Sequence, residues 1–207
     1  MAKSLDKIKV ILIGGTSHTG KTTLGKAIAS SLLWDYVATD SLAKHPGRPW
    51  VSTNNKTVKK HVAEHYKNLS IPDLVTDVLR HYARNVLPLV ETLVQIYCSN
   101  SANQCLVIEG SALFPTLVKD LVARENVRGI FLVSNYSYLK NRVFANSNFY
   151  SVGKAEQYLI YKFLERTLFY NQLVINESKS LKFNYIDVDF QTTDCLVNKC
   201  LKAIDIV

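Results

Sequence analysis

The fold of this chain is decided by the stretch Gly15-Thr16-Ser17-His18-Thr19-Gly20-Lys21-Thr22. It fits the pattern G-x-x-x-x-G-K-[ST] at every specified position, and this pattern is typical of a loop that binds nucleotide phosphates. The mostly apolar, β-branched run at 9–13 predicts a buried strand before the loop, and residues 23–32 predict a helix after it. Strand, loop and helix therefore follow one another in the order that a phosphate loop requires.

The residue types in this loop have separate tasks. Gly15 and Gly20 allow backbone conformations that side chains restrict, so that successive N–H groups and the helix N-terminus can surround a phosphate. Lys21 is expected to reach the β- and γ-phosphates, and the Thr22 hydroxyl is expected to ligate Mg²⁺. His18 stands where the backbone does the binding, so its side chain receives no task. The predicted binding loop for ATP and Mg²⁺ comprises Gly15, Thr16, Ser17, His18, Thr19, Gly20, Lys21, Thr22 and Thr23.

Length and charge limit the classes of partner. A chain of 207 residues suits one domain, residues 1–207, and its net charge of +8 comes without a Lys/Arg run interleaved with aromatic residues. Nucleic acid is therefore not expected as a partner, and a basic pocket for polyphosphate and an anionic substrate explains part of the charge. No apolar run approaches the roughly 18 residues of a membrane-spanning helix, and the N-terminus is too polar for a signal peptide. We expect a cytoplasmic monomer or homodimer.

Strands and helices alternate along the rest of the chain. Further strands are predicted at 34–39, 105–108, 127–133 and 184–188, and helices at 54–69, 73–97, 115–124, 136–145, 154–177 and from 192 or 193 to 204. This alternation predicts an α/β fold, in which helices cover both faces of a five-stranded parallel sheet in three α/β/α layers.

The helical segments carry more detailed predictions. Pro88 lies inside the helix predicted at 73–97 and should kink or break it, because proline has no N–H group and its ring clashes with the preceding turn. The stretch 146–153 does not favour a helix, so it is a candidate lid. In the helix at 154–177, the residues expected to face the core are Tyr158, Tyr161, Leu164, Leu168 and Leu173.

Two carboxylates follow predicted strands, at the edge of a parallel sheet where ligands bind. Asp40 could accept a proton from an attacking hydroxyl or hold the substrate, and the alternative is an aspartate that caps a helix or turn. Glu109 could hold Mg²⁺ through water or bind the substrate hydroxyl. A purely structural Glu109 would require a cationic partner, because a carboxylate next to a buried strand is costly when unpaired. The candidate metal ligands are therefore Thr22 and Glu109.

The loop at 42–50 contains two prolines and a glycine and cannot form regular structure. Arg48 could grip a phosphate or carboxylate in bidentate fashion, and Trp50 could stack on a substrate. The alternative is a rigid surface loop with Trp50 packed in the core. Arg80 and Arg84 are weaker candidates for substrate binding and are equally consistent with exposed surface charges.

Together these features resemble the small-molecule P-loop kinases, especially the uridine kinase and nicotinamide riboside kinase group and the proteins called 2-phosphoglycerate kinases. The matching features are the loop at 15–22, Thr39-Asp40-Ser41, the stretch Ile-Glu-Gly-Ser-Ala-Leu-Phe-Pro at 108–115 and Asn141-Arg142 before the lid. The resemblance implies the strand order 2-3-1-4-5, a helical substrate-binding region at about 41–100 and a lid at about 142–155.

The resemblance also implies Mg²⁺-dependent phosphorylation by ATP of a hydroxyl group on a small metabolite, either anionic or nucleoside-like. Asp40 matches the acid that positions or deprotonates this hydroxyl, and Arg142 matches a lid-helix arginine that contacts the ATP phosphates or the transferred group. The implied catalytic set is thus Lys21, Asp40, Glu109 and Arg142. The chain departs from the family pattern in having no arginine at 143–165, which leaves Lys154 and Arg166 as further cations. The alternative function is a P-loop ATPase or regulatory nucleotide-binding protein without a small-molecule acceptor.

Overall fold

A parallel β-sheet forms the centre of the computed structural model, which describes residues 7–43, 47–50, 58–99, 104–189 and 191–205. The strands are β1 (Val10–Gly15), β2 (Asp35–Ala38), β3 (Leu106–Glu109), β4 (Val127–Val133) and β5 (Tyr185–Asp187). They pair in parallel in the spatial order β2-β3-β1-β4-β5. The predicted parallel sheet and its strand order are therefore confirmed.

Eight helices are described around this sheet. They are α1 (Lys21–Leu32), α2 (Lys60–Asn68), α3 (Ile71–His81), α4 (Leu87–Cys98), α5 (Pro115–Val122), α6 (Tyr136–Asn146), α7 (Lys154–Ser180) and α8 (Thr193–Ala203). Within the described residues, none of these helices is both long and apolar enough to cross a membrane.

The core has one apolar layer on each face of the sheet because successive strand residues point to opposite faces. Val10 and Leu12 of β1 pack with α3, α4, α5 and the C-terminal half of α7. Ile11 and Ile13 of the same strand pack with α1 and α8 on the other face. The two layers confirm the predicted α/β/α sandwich.

A third apolar cluster lies between the helices that follow β2 and those that follow β4. It includes Trp50, residues of α2 and α6, Phe149 and the N-terminal half of α7. Phe149 begins a short 3₁₀ turn, Phe149–Ser151, between α6 and α7. This cluster fixes the predicted substrate-binding region against the predicted lid.

The helix predicted at 73–97 is broken as expected, but the break precedes Pro88. A π-helical segment, Tyr82–Val86, separates α3 from α4, and the Leu87 N–H donates to the Tyr82 carbonyl oxygen. Pro88 occupies the first turn of α4, where its missing N–H costs little. The helix predicted at 54–69 begins later, at Lys60, since residues 58 and 59 are not helical and residues 54–57 lie outside the described part of the chain.

Two predicted core positions of α7 are wrong. Tyr158 and Tyr161 are 53% and 44% exposed, whereas Leu164 is buried as expected. Leu168 and Leu173 are partly buried against two different apolar clusters, as predicted. Because α7 packs against α2, α3, α5, α6 and β4, the phase of its buried face depends on those neighbours.

Candidate active site

The phosphate loop at 15–22 joins β1 to α1 in a conformation that suits an anion. Gly15 and Gly20 have φ angles of 129° and 83°, and a Cβ atom on Gly15 would lie 2.2 Å from the Leu132 carbonyl oxygen. The Thr19 hydroxyl donates to the Thr16 carbonyl oxygen over 2.8 Å, which braces the loop. No side chain of the described residues caps the N-terminus of α1, so its first N–H groups remain directed at the loop.

Lys21 is buried at the start of α1. Its Nζ donates to the carbonyl oxygen of Thr16 over 2.6 Å. Burial lowers the pKa of Lys21 to about 8, against the opposing effect of Glu109 and Asp40. A bound polyphosphate would stabilise the charged form of Lys21, because a nearby anion offsets the cost of burying the ammonium group.

Glu109, at the end of β3, is held by two hydroxyl groups. Its Oε1 accepts hydrogen bonds from Thr22 Oγ1 at 3.0 Å and from Tyr36 Oη at 2.8 Å. Burial and this hydrogen bond to Glu109 raise the pKa of Tyr36, so Tyr36 remains a donor. Gly25 makes room for the pair, because a Cβ atom there would lie 3.1 Å from the Tyr36 ring and 3.2 Å from Glu109 Cγ.

The Thr22 and Glu109 oxygens suit a hard divalent cation. Thr22 directs its hydroxyl proton to the Glu109 carboxylate, which leaves the lone pairs of Oγ1 for a metal ion. A hydroxyl and a carboxylate oxygen are ligands that Mg²⁺ prefers. These two residues are therefore chemically fit for Mg²⁺.

Asp40 lies in a 3₁₀ turn, Thr39–Ser41, directly after β2. Thr39 is buried against Gly110, where a Cβ atom would fall 1.7 Å from Thr39 Oγ1, so this close approach fixes the turn beside the end of β3. Asp40 itself is exposed, and no side chain caps the turn. Among the described residues, no hydrogen bond therefore supports the alternative role of Asp40 as a cap.

A cavity of about 230 Å³ brings most of the predicted site residues together. It lies at the carboxyl edge of the sheet, where Ile13 of β1 and Ala38 of β2 both pair with Glu109. The lining residues are Ser17, His18, Gly20, Lys21, Thr22, Thr23, Asp40, Arg48, Glu109, Gly110, Ser111, Arg142 and Asn146. The phosphate loop, two carboxylates and two arginines therefore line the same cavity.

Arg48 joins the loop after β2 to the predicted lid. Its Nη1 donates to Asn146 Oδ1 at the end of α6 over 2.8 Å, and its guanidinium lies 5.7 Å from the centre of the Trp50 ring. Trp50 is only 2% exposed and packs edge-on against Phe163 at 4.7 Å, outside the cavity lining. Arg48 thus lies at the cavity, as the substrate-binding interpretation of this loop predicts. Trp50 lies in the core, as the alternative interpretation predicts.

The remaining predicted cations divide into two groups. Arg142 lines the cavity from α6, and its Nη1 donates to Tyr138 Oη over 3.3 Å. Lys154, Arg80 and Arg84 are exposed and are not among the residues that line the cavity. Arg80 instead lies 3.7 Å from Asp77 on α3.

The side chain of His18, to which the sequence assigned no task, is a wall of the cavity. Burial lowers the pKa of His18 to about 3, and the nearby cations Arg48, Lys21 and Arg142 act in the same direction. The ring is therefore neutral at physiological pH. It packs against Phe163 with ring centres 5.8 Å apart.

Sequence reasoning also missed Tyr36, Ser111 and Asn146. A signal for Tyr36 existed: it lies two residues before Ala38 and so shares its face of β2, and Ala38 pairs with Glu109. Asn146 had no comparable signal, because its contact with Arg48 spans 98 positions of the chain.

Comparisons with known proteins establish the fold. No protein-family model matches the chain, and neither does any curated protein. Among solved structures, it resembles a gluconokinase from Sinorhizobium meliloti 1021, with 16% identity over 95% of this chain and 91% of that chain and a TM-score of 0.54. It also resembles a sugar kinase from Janibacter sp. HTCC2649, with 16% identity over 97% and 96% and a TM-score of 0.54.

A third similar structure is a shikimate kinase from Acinetobacter baumannii in complex with shikimate, with 15% identity over 99% of this chain and 97% of that chain and a TM-score of 0.52. At such identities the likeness shows the fold alone, the α/β arrangement around a five-stranded parallel sheet described above. The narrower resemblance to the uridine kinase and nicotinamide riboside kinase group stays a prediction.

Proposed function

We propose that this chain is a kinase that transfers the γ-phosphoryl group of ATP to a hydroxyl group of a small molecule, with Mg²⁺ as cofactor. One observation carries the proposal: Asp40 lines the same cavity as Lys21 and the phosphate loop. A carboxylate beside a phosphate loop can orient an alcohol for in-line attack on a terminal phosphate. The shared fold of the gluconokinase, sugar kinase and shikimate kinase supports this proposal.

The residues of the phosphate loop bind and orient the nucleotide. Backbone N–H groups at 15–22 and the N-terminus of α1 surround the β-phosphate, and Lys21 exchanges its bond to the Thr16 carbonyl for phosphate oxygens. Thr22 and Glu109 would hold Mg²⁺, and Tyr36 orients the Glu109 carboxylate. The bound cation would neutralise phosphate charge and help to position the γ-phosphate.

The acceptor side of the cavity positions the second substrate. Asp40 accepts a hydrogen bond from the acceptor hydroxyl and takes its proton as the phosphoryl group is transferred. Arg48 and Arg142 line the same cavity and would compensate negative charge at the transferred group. We assign the substrate-binding region to about 41–100 and the lid to about 142–155, joined by the bond between Arg48 and Asn146.

Acceptor dependence of ATP consumption tests the proposal. Purified protein is incubated with Mg²⁺ and ATP, with and without a panel of small alcohols, polyols, hydroxy acids and nucleosides, and ADP formation is measured. A kinase consumes ATP faster with one class of acceptor and yields a phosphorylated product detectable by mass spectrometry. Turnover that no acceptor stimulates indicates the alternative, an ATPase, and nucleotide binding without turnover indicates a regulatory binding protein.

A further inference from the structure

Asn146 is the last residue of α6, and it lines the cavity together with Arg48. Its Oδ1 accepts a hydrogen bond of 2.8 Å from Arg48 Nη1, although the two residues are 98 positions apart in the chain. Arg142 lies four positions before Asn146 and also lines the cavity, so both side chains project from one face of α6. One helix therefore carries an arginine into the cavity and holds a second arginine that comes from another element.

The two groups that hold Arg48 are anchored in the same part of the core. Phe144, two positions before Asn146, is buried in the third apolar cluster and stacks on Phe149 with ring centres 3.9 Å apart. Trp50 is buried in that cluster too, and the centre of its ring lies 5.7 Å from the Arg48 guanidinium. Because the backbone is anchored on both sides of this contact, the Asn146 amide and the Trp50 ring set the position of the guanidinium.

Arg48 is held by groups that carry no charge. An amide oxygen accepts its hydrogen bond, and an indole ring lies near its guanidinium. Within the ranges that the structure describes, no carboxylate forms an ion pair with Arg48, since the ion pairs found there join residues of α2 and α3. The sequence adds that residues 44–46 and 51–57, which flank the described part of this loop, contain no aspartate or glutamate. The positive charge of Arg48 is therefore held in place without being neutralised.

The charge of Arg48 acts on residues from both sides of the cavity. Partial burial lowers the pKa of Arg48, and the nearby Asp40 carboxylate acts in the opposite direction. Burial lowers the pKa of Lys21 to about 8, and the Arg48 guanidinium adds to this effect. Arg48 is thus within electrostatic range of the lysine proposed to bind the γ-phosphate and of the carboxylate proposed to hold the acceptor hydroxyl. A phosphoryl group in transfer lies between these two residues, where the Arg48 charge would stabilise it.

We propose that Asn146 is a positioning residue that holds the Arg48 guanidinium at the transferred phosphoryl group and, because it is neutral, leaves the positive charge of Arg48 for that group. This inference rests on the proposed kinase function and adds a requirement at position 146, a hydrogen-bond acceptor without negative charge. A cation that is already in place stabilises charge in the transition state without a cost of reorganisation. An aspartate at this position would bind Arg48 more strongly but would neutralise it.

Nucleotide binding tests this role without an acceptor substrate. The two probes are ADP and AMP-PNP, a non-hydrolysable analogue of ATP, which differ by the terminal phosphoryl group. Calorimetry in the presence of Mg²⁺ gives the dissociation constant of each probe. The ratio of the two constants reports the interactions that the protein makes with the terminal phosphoryl group, and the wild-type ratio is the reference for every variant.

Two substitutions of Asn146 separate positioning from a merely structural bond. Asn146→Ala removes the acceptor oxygen and should weaken AMP-PNP binding about tenfold, with ADP affinity within about twofold of the wild type. If Asn146 only fastened α6 to the loop after β2, Asn146→Asp would fasten it at least as well and retain AMP-PNP affinity. We expect instead that Asn146→Asp also weakens AMP-PNP binding about tenfold, because it neutralises Arg48. Asn198→Ala, on the exposed face of α8, is the control and should leave both constants unchanged.

The Arg48→Met background shows whether Asn146 acts through Arg48. In this background Asn146→Ala should have no further effect on AMP-PNP affinity, because the guanidinium that it positions is gone. Additive effects of the two substitutions would overturn the proposal, as would wild-type AMP-PNP affinity in Asn146→Ala or in Asn146→Asp. The expected pattern of affinities together with ATP consumption that no acceptor stimulates would refute the kinase function alone. Acceptor-dependent ATP consumption together with additive effects would refute the role of Asn146 alone.

Discussion

The phosphate side and the acceptor side of the cavity are built in different ways. In the proposed mechanism the phosphate side is one continuous stretch, residues 15–23, which binds mainly through backbone N–H groups. The Thr19 and Lys21 side chains brace this stretch by donating to the Thr16 carbonyl oxygen. The acceptor side combines Asp40 after β2, Arg48 from the following loop and Arg142 and Asn146 from α6. Phosphate binding by one continuous stretch can be preserved across many proteins. A surface made of side chains from separate elements can change its specificity by single substitutions.

The two sides should therefore respond differently to mutation. Changes on the phosphate side should weaken nucleotide binding together with turnover. Changes on the acceptor side should reduce transfer while the nucleotide still binds. Glu109 and Tyr36 lie between the two sides, because Glu109 contacts Thr22 of α1 and Tyr36 of β2.

The largest effect is expected for Asp40→Asn. The amide keeps the shape of the side chain but cannot take the hydroxyl proton, so the rate of phosphoryl transfer should fall by about 10²–10⁴. Affinity for ATP, measured by calorimetry, should stay within about twofold because the phosphate side is intact. Asp120→Asn, on the exposed face of α5, is the matched control. Transfer at the wild-type rate would remove Asp40 from the mechanism.

Lys21→Ala should reduce both transfer and nucleotide affinity. Loss of one preorganised charge at the phosphates typically costs about 10²–10³ in rate. The rate of ADP formation and the dissociation constant for ATP are the two measurements, and Lys119→Ala, an exposed lysine of α5, is the control. A variant that binds ATP normally and loses only transfer would contradict the expectation that changes on the phosphate side weaken nucleotide binding.

Tyr36→Phe should have an intermediate effect on Mg²⁺. It removes the 2.8 Å hydrogen bond that orients Glu109 and leaves the ring in place. Residues that orient metal ligands typically contribute about 10–100-fold to affinity, so titration calorimetry of Mg²⁺ into protein with ADP should show about tenfold weaker binding. Tyr97→Phe removes a hydroxyl that donates to Asp35 over 2.7 Å and should leave Mg²⁺ affinity unchanged. The same affinity in both variants would show that Tyr36 has no role in positioning Glu109.

The smallest effect is the dependence of ATP affinity on pH. The pKa of Lys21 is about 8 in the free protein because of burial, and a bound phosphate raises it, so binding above pH 8 takes up a proton. The dissociation constant should therefore increase as pH rises, by about fourfold between pH 7 and pH 8.5. Calorimetry in buffers of different ionisation enthalpy measures the proton uptake. An affinity that is constant over this range would contradict the charge state assigned to Lys21.

Prediction from sequence succeeded where the residues involved are neighbours in the chain. Gly20 and Lys21 are adjacent in the chain, at the end of the loop and the start of α1. The predicted alternation of strands and helices is confirmed by the apolar layers on both faces of the sheet. Prediction failed for Tyr158 and Tyr161, which the helical spacing placed in the core and the structure leaves half exposed. In α7, spacing shows that the helix is amphipathic, but the neighbouring helices determine which face is buried.

The amino-acid sequence alone determined the glycine-rich loop at 15–22, the strands that precede Asp40 and Glu109 and the class of fold. These features depend on backbone conformation and on apolar periodicity, and both are properties of residues close together in the chain. The tertiary structure decided that Tyr36 holds Glu109 from 73 positions away, that Trp50 belongs to the core and that Arg166 is buried without an acidic partner among the described residues. Such contacts depend on how whole elements pack, because only packing brings distant side chains within hydrogen-bonding distance and removes water from around them.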